Sequence, residues 1–347
     1  MQYAVPAFSV QEVNAAGRNL AAFQGSMEEL GHAMGVIDNW RASHHWPLNT
    51  LYMTLKRRAS LVDGKAFAAQ RIKRLESILS KLLNEKSMKL SQMQDIGGCR
   101  AVVSSVEQVR SLQRTYITTP VVHTFTGAKD YIAEPKSTGY RSVHLKYKFS
   151  GKGNSKVYDG LKIEMQVRTA LQHQWATAVE AAGTFTKEAL KSNRGRQEWL
   201  RFFSLMSSVF ALREGCTTVP GTPSTVDELH AEIRALDKAF HIGLVFSQYR
   251  AIIPRIQRQQ GARYFLVVLD PVRYTVTIQG FKQHESQMAN AALTRTETEL
   301  PKDTSTQVCL VSVSSVSALK RAYPNYFLDT KDFLSEILRI TGAKILT

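Results

Sequence analysis

Cysteine is scarce in this chain. Among 347 residues only Cys99, Cys216 and Cys309 occur, too few and too far apart for a disulfide framework or a CxxC zinc site. Reduced thiols in a cytoplasmic protein are expected, and no zinc. No window reaches the roughly 20 apolar residues of a membrane span, and Met1 to Val10 lacks a basic segment followed by an apolar one, so no membrane partner is expected. Acidic residues are also in short supply: 29 Asp and Glu against 45 Lys and Arg leave a net charge of +16. That surplus points to a polyanionic partner, nucleotide phosphates or nucleic acid, against the plainer reading of a basic surface kept for solubility. Internal repeats are absent.

The length suits two domains, each near the usual size of roughly 150 residues. Residues 1–50 read as an N-terminal helical region, with His44-His-Trp-Pro47 as a break and Leu51 to Lys56 as a short strand or helix after it. His44 and His45 have no acidic companion and are read as loop residues packed by Trp40 and Trp46 rather than as metal ligands. Leu75, Ile78, Leu79, Leu82 and Leu83 carry helical spacing, which leaves Ser77 and Lys81 four apart on an exposed face. A strand is expected after Asp95, a helix from Val106 to Tyr116, and a helix over Ala170 to Ala182 in which Trp175 and Glu180 are structural and His173 lies at the surface or near the site. The fold class that follows is α/β, a mixed sheet flanked by helices over 51–215. The Pro-, Gly-, Ser- and Thr-rich stretch at 216–225 reads as a linker to a smaller α+β unit at 226–347. That unit predicts a helix from Val226 to Phe240, another onward to Gln260, a hairpin turning at Asp270-Pro271, a helix near Ser286 to Leu300, a strand from Gln307 to Val313 and a last helix from Lys331 to Ile340.

The densest chemistry lies in Asp130-Tyr-Ile-Ala-Glu-Pro-Lys-Ser-Thr-Gly-Tyr-Arg-Ser-Val-His144. Pro135 and Gly139 bracket a turn, and alternation then places Tyr140, Ser142 and His144 on one side with Arg141, Val143 and Leu145 on the other. A second strand, Ile163 to Arg168, sets Glu164, Gln166 and Arg168 on a polar face opposite Ile163, Met165 and Val167. Between Lys56 and Lys81 basic residues outnumber Asp63 and Glu76. Arg matches phosphate oxygens as a bidentate fork and Lys as a point charge, so the cluster suits a triphosphate, with a solvated basic face as the alternative. Asp95 and Glu164 are the carboxylates best placed to hold Mg²⁺, or else ordinary salt-bridge partners.

In order along the chain stand Arg71-x-Lys73-x-x-x-Ser77-Ile78-x-x-Lys81, Asp95-Ile-Gly-Gly-x-Arg100, Asp130-Tyr-Ile-x-x-Pro-Lys136-x-x-Gly-Tyr140-Arg-Ser-x-His144 and Glu164-x-Gln166-x-Arg168-Thr169. Together they resemble the synthetase domain of the RelA/SpoT alarmone synthetases, a nucleotidyltransferase-like fold, over residues 50–200. The resemblance implies a pyrophosphokinase that moves the β,γ-diphosphate of ATP to the 3′-hydroxyl of GDP or GTP, releasing AMP and making (p)ppGpp. It further implies Arg71 and Arg100 on either face of the adenine, Lys73, Ser77 and Lys81 along the ATP phosphates, and Asp95 as the catalytic Mg²⁺ ligand. Glu164 would share the metal or take the proton of the attacking hydroxyl. Tyr140 would stack on the acceptor base, Lys136 and His144 would meet its phosphate or ribose, and Gln166 and Arg168 would support the pocket.

The long bifunctional members of that family carry a hydrolase with a His-Asp metal pair, which this sequence lacks. A small synthetase without its own means of degrading the product is expected. Toxic members with other acceptors provide an alternative, the tRNA 3′ end or an adenine nucleotide, favoured by the net charge and the basic stretch from Lys187 to Arg201. A catalytically inactive nucleotide- or RNA-binding relative is the remaining alternative. The oligomeric state, a homo-oligomer included, is left open.

Overall fold

The computed structural model describes residues 3–186, 190, 195–247, 253–257, 261–273, 275–300, 306–313, 315–327 and 329–342. The chain begins with three helices, α1 (Val10–Ala22), α2 (Met27–Ser43) and α3 (His45–Val62). Ser9 and Ser26 start the first two with capping boxes closed by Glu12 and Glu29, which satisfy amides that the first turn leaves bare. The expected break at His44 to Pro47 does not interrupt the helical layer. His44 ends α2, donating from Nδ1 to the Trp40 carbonyl at 2.7 Å, and Pro47 sits in the first turn of α3, where a missing amide hydrogen costs nothing. Leu51 to Lys56 accordingly lie inside α3.

Next come β1 (Phe67–Ile72), α4 (Leu75–Asn84), β2 (Gly97–Val103), α5 (Val106–Thr118), β3 (Thr124–Asp130), β4 (Val143–Lys148) and β5 (Lys162–Thr169). Helices α6 (Ala170–Thr186), α7 (Gln197–Arg213), α8 (Val226–Phe240) and α9 (Ile242–Ser247) follow, then β6 (Ile253–Gln257), β7 (Tyr264–Asp270) and β8 (Thr275–Phe281). The chain closes with α10 (Ser286–Glu299), β9 (Gln307–Ser312), α11 (Val316–Ala322) and α12 (Lys331–Thr341). The helical expectation running to Gln260 stops at Ser247, because Ile253–Gln257 is a strand paired in parallel with β8; residues 248–252 and 258–260 lie outside the described residues.

The strands form one nine-stranded sheet in the order β3-β4-β5-β2-β1-β9-β7-β8-β6. It is mixed: β2 and β5 run parallel, while β1 is antiparallel to both β2 and β9. The sheet therefore runs unbroken across the stretch at 216–225, and 226–347 extends the sheet of 51–215 rather than building a separate one. Residues opposed across a strand pair share a face. On the back face Ile72, Cys99, Ala101, Val103, Leu145, Ile163, Met165 and Val167 pack in one core with Leu48, Leu51 and Leu55 of α3 and with Val109 and Leu112 of α5. The back face of the C-terminal strands is covered by Ala289 and Leu293 of α10. A helical core of α6, α7, α8, α9 and α12, centred on Trp199, Phe202, Phe203 and Phe333, flanks the sheet.

One buried ion pair ties α10 to the N-terminal layer. Arg41, 3% exposed, donates from Nη1 and Nη2 to Glu297 at 2.8 and 3.1 Å, and from Nε to the Lys73 carbonyl at 3.2 Å. Glu297 also accepts the Leu75 amide at the start of α4 at 3.1 Å, doing the work of a cap that Arg74 does not supply. Removing one partner of a buried pair strands the other charge. Glu297→Ala is therefore expected to lower unfolding stability by roughly 3 kcal/mol, read from urea unfolding midpoints; a loss within the error of a surface substitution would remove this clamp from the account of the fold.

Candidate functional site

The strand register assembles the groove. Arg71 of β1 opposes Gly98 of β2; Gly98 lies beside Glu164 of β5, Arg100 beside Gln166, and Gln166 opposes His144 of β4. Arg71, Arg100, His144, Glu164, Gln166 and Arg168 therefore share the front face, although they come from four strands. Gly98 leaves a gap in that floor: a Cβ built there would meet nothing within 4 Å. The space lies between the Arg71 and Glu164 columns.

Lys73, Lys81 and Asp95 meet at one end. The Lys73 amide bonds to the Ile96 carbonyl at 2.9 Å, which holds Lys73 next to Asp95, and Lys73 Nζ donates to Asp95 Oδ2 at 2.5 Å. Lys81, carried in by α4, brings Nζ to 3.9 Å from Asp95 Oδ1. Ser77 stands one turn before Lys81, half-buried. Burial acts to raise the Asp95 pKa, but the two ammonium groups outweigh it and hold the carboxyl below its ordinary 3.8. Asp95 Oδ1 is nevertheless buried without a hydrogen bond.

Beside this cluster a relay of side chains orients Glu164. Its Oε2 accepts from Gln166 Nε2 at 3.0 Å, and its Oε1 lies 3.1 Å from His144 Nδ1. A carboxylate only accepts, so Nδ1 carries the proton; in the neutral ring this leaves Nε2 to accept from the Tyr140 hydroxyl at 2.8 Å. Burial pushes the Glu164 pKa up, but the hydrogen bond and charge of His144 together with the Gln166 hydrogen bond outweigh it, and the carboxyl ends below 4.5 despite repulsion from Asp95. The two acids are thus electrostatic neighbours.

Tyr140 and Lys136 sit on the loop ahead of β4. The strand begins at Val143, so the alternation expected from Tyr140 onward starts three residues later, and Ser142 is buried with Oγ donating to the Val167 carbonyl at 3.1 Å. The loop is pinned at Gly139, whose φ of +90° and close approach to Trp175 and Ser207 exclude a side chain. Ser207 Oγ donates to the Gly139 carbonyl at 2.6 Å. Lys136 Nζ lies 4.6 Å from the ring centre of Tyr131 and 5.5 Å from that of Tyr140, and Tyr131 meets both Tyr140 and His144 edge-on. Tyr131 was not singled out from the sequence, although it stands within the quoted motif. Asp130 serves the backbone: it pairs with Arg110 and accepts the Ile132 and Ala133 amides, both at 3.0 Å.

Arg168 is 4% exposed and its Nη2 donates to His173 Nδ1. His173 is thus a buried partner of Arg168, not a surface residue. Burial first, then the neighbouring Arg100, pushes the Arg168 pKa down to about 9. The Nε atoms of Arg100 and Arg168 are both buried without a hydrogen bond. Cations crowded out of water with unmade bonds form a pocket that favours an anion. Arg100 also lies with Cζ 5.7 Å from the Tyr323 ring centre. Of the basic stretch from Lys187 to Arg201, residues 187–189 and 191–194 lie outside the described residues, and Arg201 pairs with Glu232 at 2.6 Å.

The Asp95 cluster makes a pH-dependent contribution to folding. A carboxyl held below its ordinary 3.8 stabilises the folded state above that value, and the gain is lost as pH falls through the lower folded pKa. Lys73→Met removes the larger of the two ammonium contributions. The stability gap between the wild type and this variant is expected to be widest near neutral pH and to close below about pH 3, measured by urea unfolding at both extremes. A gap that is constant or grows on acidification would separate Lys73 from Asp95.

Residues 70–189 match the family described as the region found in RelA / SpoT proteins. GTP pyrophosphokinase YwaC of Bacillus subtilis (strain 168) is 29% identical over 142 residues, 38% of this chain and 65% of that protein. GTP pyrophosphokinase YjbM of the same organism is 34% identical over 114 residues, 32% of this chain and 53% of that protein. The chain thus spans less than two thirds of the length of each. A crystal structure of the small alarmone synthetase 1 from Bacillus subtilis, bound to its product pppGpp, aligns with 50% of this chain and 89% of its own at 23% identity and a TM-score of 0.43, too loose a fit to place any ligand. The match covers β2, β4 and β5 and β1 from Gln70 onward, so the strands that build the groove lie within a segment similar to the RelA/SpoT family region.

Proposed function

We propose that the groove transfers the β,γ-diphosphate of ATP to the 3′-hydroxyl of GDP or GTP, giving (p)ppGpp and AMP. The observation that carries this reading is the convergence of Lys73 and Lys81 on Asp95 beside a Glu164 that His144 holds in place on the same sheet face. Lysines that neutralise a carboxylate without substrate can turn to phosphate oxygens when a triphosphate enters. Ser77, on the same helix as Lys81, adds a hydroxyl. The aromatic pair Tyr131 and Tyr140 with Lys136 suits a purine ring bearing phosphates, because one wall stacks and the other attracts charge.

Mg²⁺ fits the residues present. Asp95 has a buried oxygen without a partner, Glu164 is close by, and both offer the hard oxygen donors this cation takes. Among the described residues no group of three or more acidic, His or Cys side chains gathers to hold a metal, which suits an ion that completes its shell with substrate phosphates and water. Asp95 and Glu164 would hold it, and when bound it supplies positive charge against the phosphate oxygens.

In the reaction the acceptor 3′-oxygen attacks the β-phosphorus, the bond to the α,β-bridging oxygen breaks, and AMP leaves with those electrons. Negative charge gathers on the β-phosphoryl oxygens, where Lys73 and Lys81 stabilise it, while Arg71 and Arg100 flank the adenine and Arg168 supports the acceptor pocket. Glu164, ionised at neutral pH, receives or directs the hydroxyl proton; as a weak base it acts more through position than through proton affinity. Among the described residues no helix is long and apolar enough to cross a membrane, consistent with a nucleotide-dependent reaction in the cytoplasm.

Incubation of the protein with γ-labelled ATP and Mg²⁺ beside GDP, GTP, ATP or deacylated tRNA tests the assignment. Label is expected on GDP and GTP. Label on tRNA or on ATP would move the acceptor to one of the alternatives, and no label on any acceptor would leave a binding protein. Glu164→Gln and Asp95→Asn are each expected to lower transfer by about 100-fold or more in a protein that still folds cooperatively. Near-normal turnover in either would remove that residue from the chemistry.

A further inference from the structure

Tyr140, read above as the stack for the acceptor base, is fixed through its two neighbours in the chain. Gly139 lies against α7: a Cβ built on it would meet Ser207 Cβ at 2.9 Å and the Phe203 carbonyl oxygen at 3.1 Å, and its own carbonyl accepts from Ser207 Oγ at 2.6 Å. Arg141, 2% exposed, donates from Nη2 to Glu214 Oε2 at 2.6 Å. Ser207 lies on α7 and Glu214 is the residue that ends it, seven positions on, so two turns of one helix bring both to the same side. The stacking residue is therefore held between two pins. Neither pin belongs to the quoted motifs or to residues 70–189.

Glu214 also reaches the strand of the acid. Its Oε1 accepts from Thr169 Oγ1 and its Oε2 from Gln172 Nε2 at 3.0 Å, while Gln172 Oε1 takes the Thr169 amide at 3.1 Å. Thr169 closes β5, the strand that carries Glu164. One buried carboxylate thus joins the loop bearing the aromatic ring to the strand bearing the proton acceptor. The helix behind it is anchored in turn. Trp175 Nε1 of α6 donates to the Phe203 carbonyl at 2.8 Å, the Phe203 ring centre lies 5.9 Å from those of Trp199 and of Phe333 on α12, and Arg213 pairs with the buried Glu336 of α12. Side chains locked in this way can fix a loop that its own turn bonds would leave loose.

We propose that Ser207 and Glu214 are positioning residues for the acceptor nucleotide: without touching substrate, they set the place and tilt of the Tyr140 ring against Glu164. The inference rests on the reading of Tyr140 as the acceptor wall. Arg71, Lys81 and Arg100, assigned to ATP, come from β1, α4 and β2 instead. Loosening the loop therefore weakens the acceptor side and spares the donor side, since binding and alignment both depend on a ring held in one geometry.

The test uses the full chain, with transfer from γ-labelled ATP to GDP measured while each substrate is varied in turn. Ser207→Ala, which removes one neutral hydrogen bond and little volume, is expected to raise KM for GDP about fivefold and to leave KM for ATP within about twofold. Glu214→Gln, whose amide nitrogen cannot accept from Arg141 and Gln172, is expected to raise KM for GDP about tenfold or more. Amide hydrogen exchange across 136–142 is expected to rise in both variants, with β1 and α4 unchanged. A merely structural role would lower the melting temperature and move both KM values together. If Glu214→Gln fails to fold, Ser207→Ala and its exchange decide. A folded Ser207→Ala with wild-type KM for GDP, or with both KM values raised alike, overturns the positioning role and leaves the acceptor reading standing. If the wild type puts no label on GDP, the acceptor reading itself fails and the positioning role falls with it.

Discussion

Everything on the front face depends on the double pairing of β1. Along one edge its six residues, Phe67 to Ile72, pair with Val102 to Gly97; along the other, Gln70 and Arg71 pair with Ser312 and Val311. A strand paired on both edges is fixed in register, and a slip of one residue would turn Arg71 to the back face. The groove floor and the C-terminal strands are therefore one ladder. Because Ala69 belongs to the same core as Val267, Ile278 and Tyr326, separating β9 from β1 would also expose that apolar layer. This explains how a tail outside the matched family region comes to lie against the arginines inside it.

The second constraint is charge. Arg71, Lys73, Lys81, Arg100, Lys136 and Arg168 stand around a floor whose assigned carboxylates are Asp95 and Glu164. In water such an excess is screened within about 8–10 Å, but Arg168 is buried and its charge is disfavoured there, as its lowered pKa records. The protein answers locally. Two lysines share Asp95, Arg168 leans on His173, and Arg100 faces an aromatic ring. None of these answers satisfies every donor, and the unmade bonds of Arg100 and Arg168 are what remains. The overall surplus of +16 thus has a local counterpart in the one place where phosphate chemistry is proposed.

Patterns that local chemistry governs were legible in the sequence. The helix from Val226 to Phe240 has the expected ends because Thr225 caps it and its apolar residues keep one stripe, and the hairpin turns at Asp270, which accepts the Val272 and Arg273 amides at 3.0 Å. The motif residues of β2, β4 and β5 fall on a common face as their alternation required. Long-range pairing left no such signal. β1 is short and mixed in composition, and nothing in Phe67 to Ile72 announces that Arg71 will meet a strand some 240 residues later. β3 is an exposed edge strand bulged near Gly127, so its alternation is blurred. Tyr323 and His173 escaped for the same reason: one belongs to no motif, and the other becomes a buried link only after Arg168 and Arg321 are brought together.

The role of His144 changes when its bonds are followed. The sequence resemblance sets it against the acceptor phosphate or ribose, but both ring nitrogens are engaged, one with Glu164 and the other with the Tyr140 hydroxyl. To reach a ligand it would have to release the residue proposed to stack on the acceptor base or the carboxylate proposed to meet the hydroxyl. Holding both is the more economical use of the ring, since it fixes the distance between the base wall and the acid in a single side chain. Gln166 anchors the other oxygen of Glu164, so the carboxylate cannot swing. In the proposed reaction His144 would then act as a positioning residue, and contact with the acceptor phosphates would fall to Lys136, whose ammonium already lies over the two tyrosine rings.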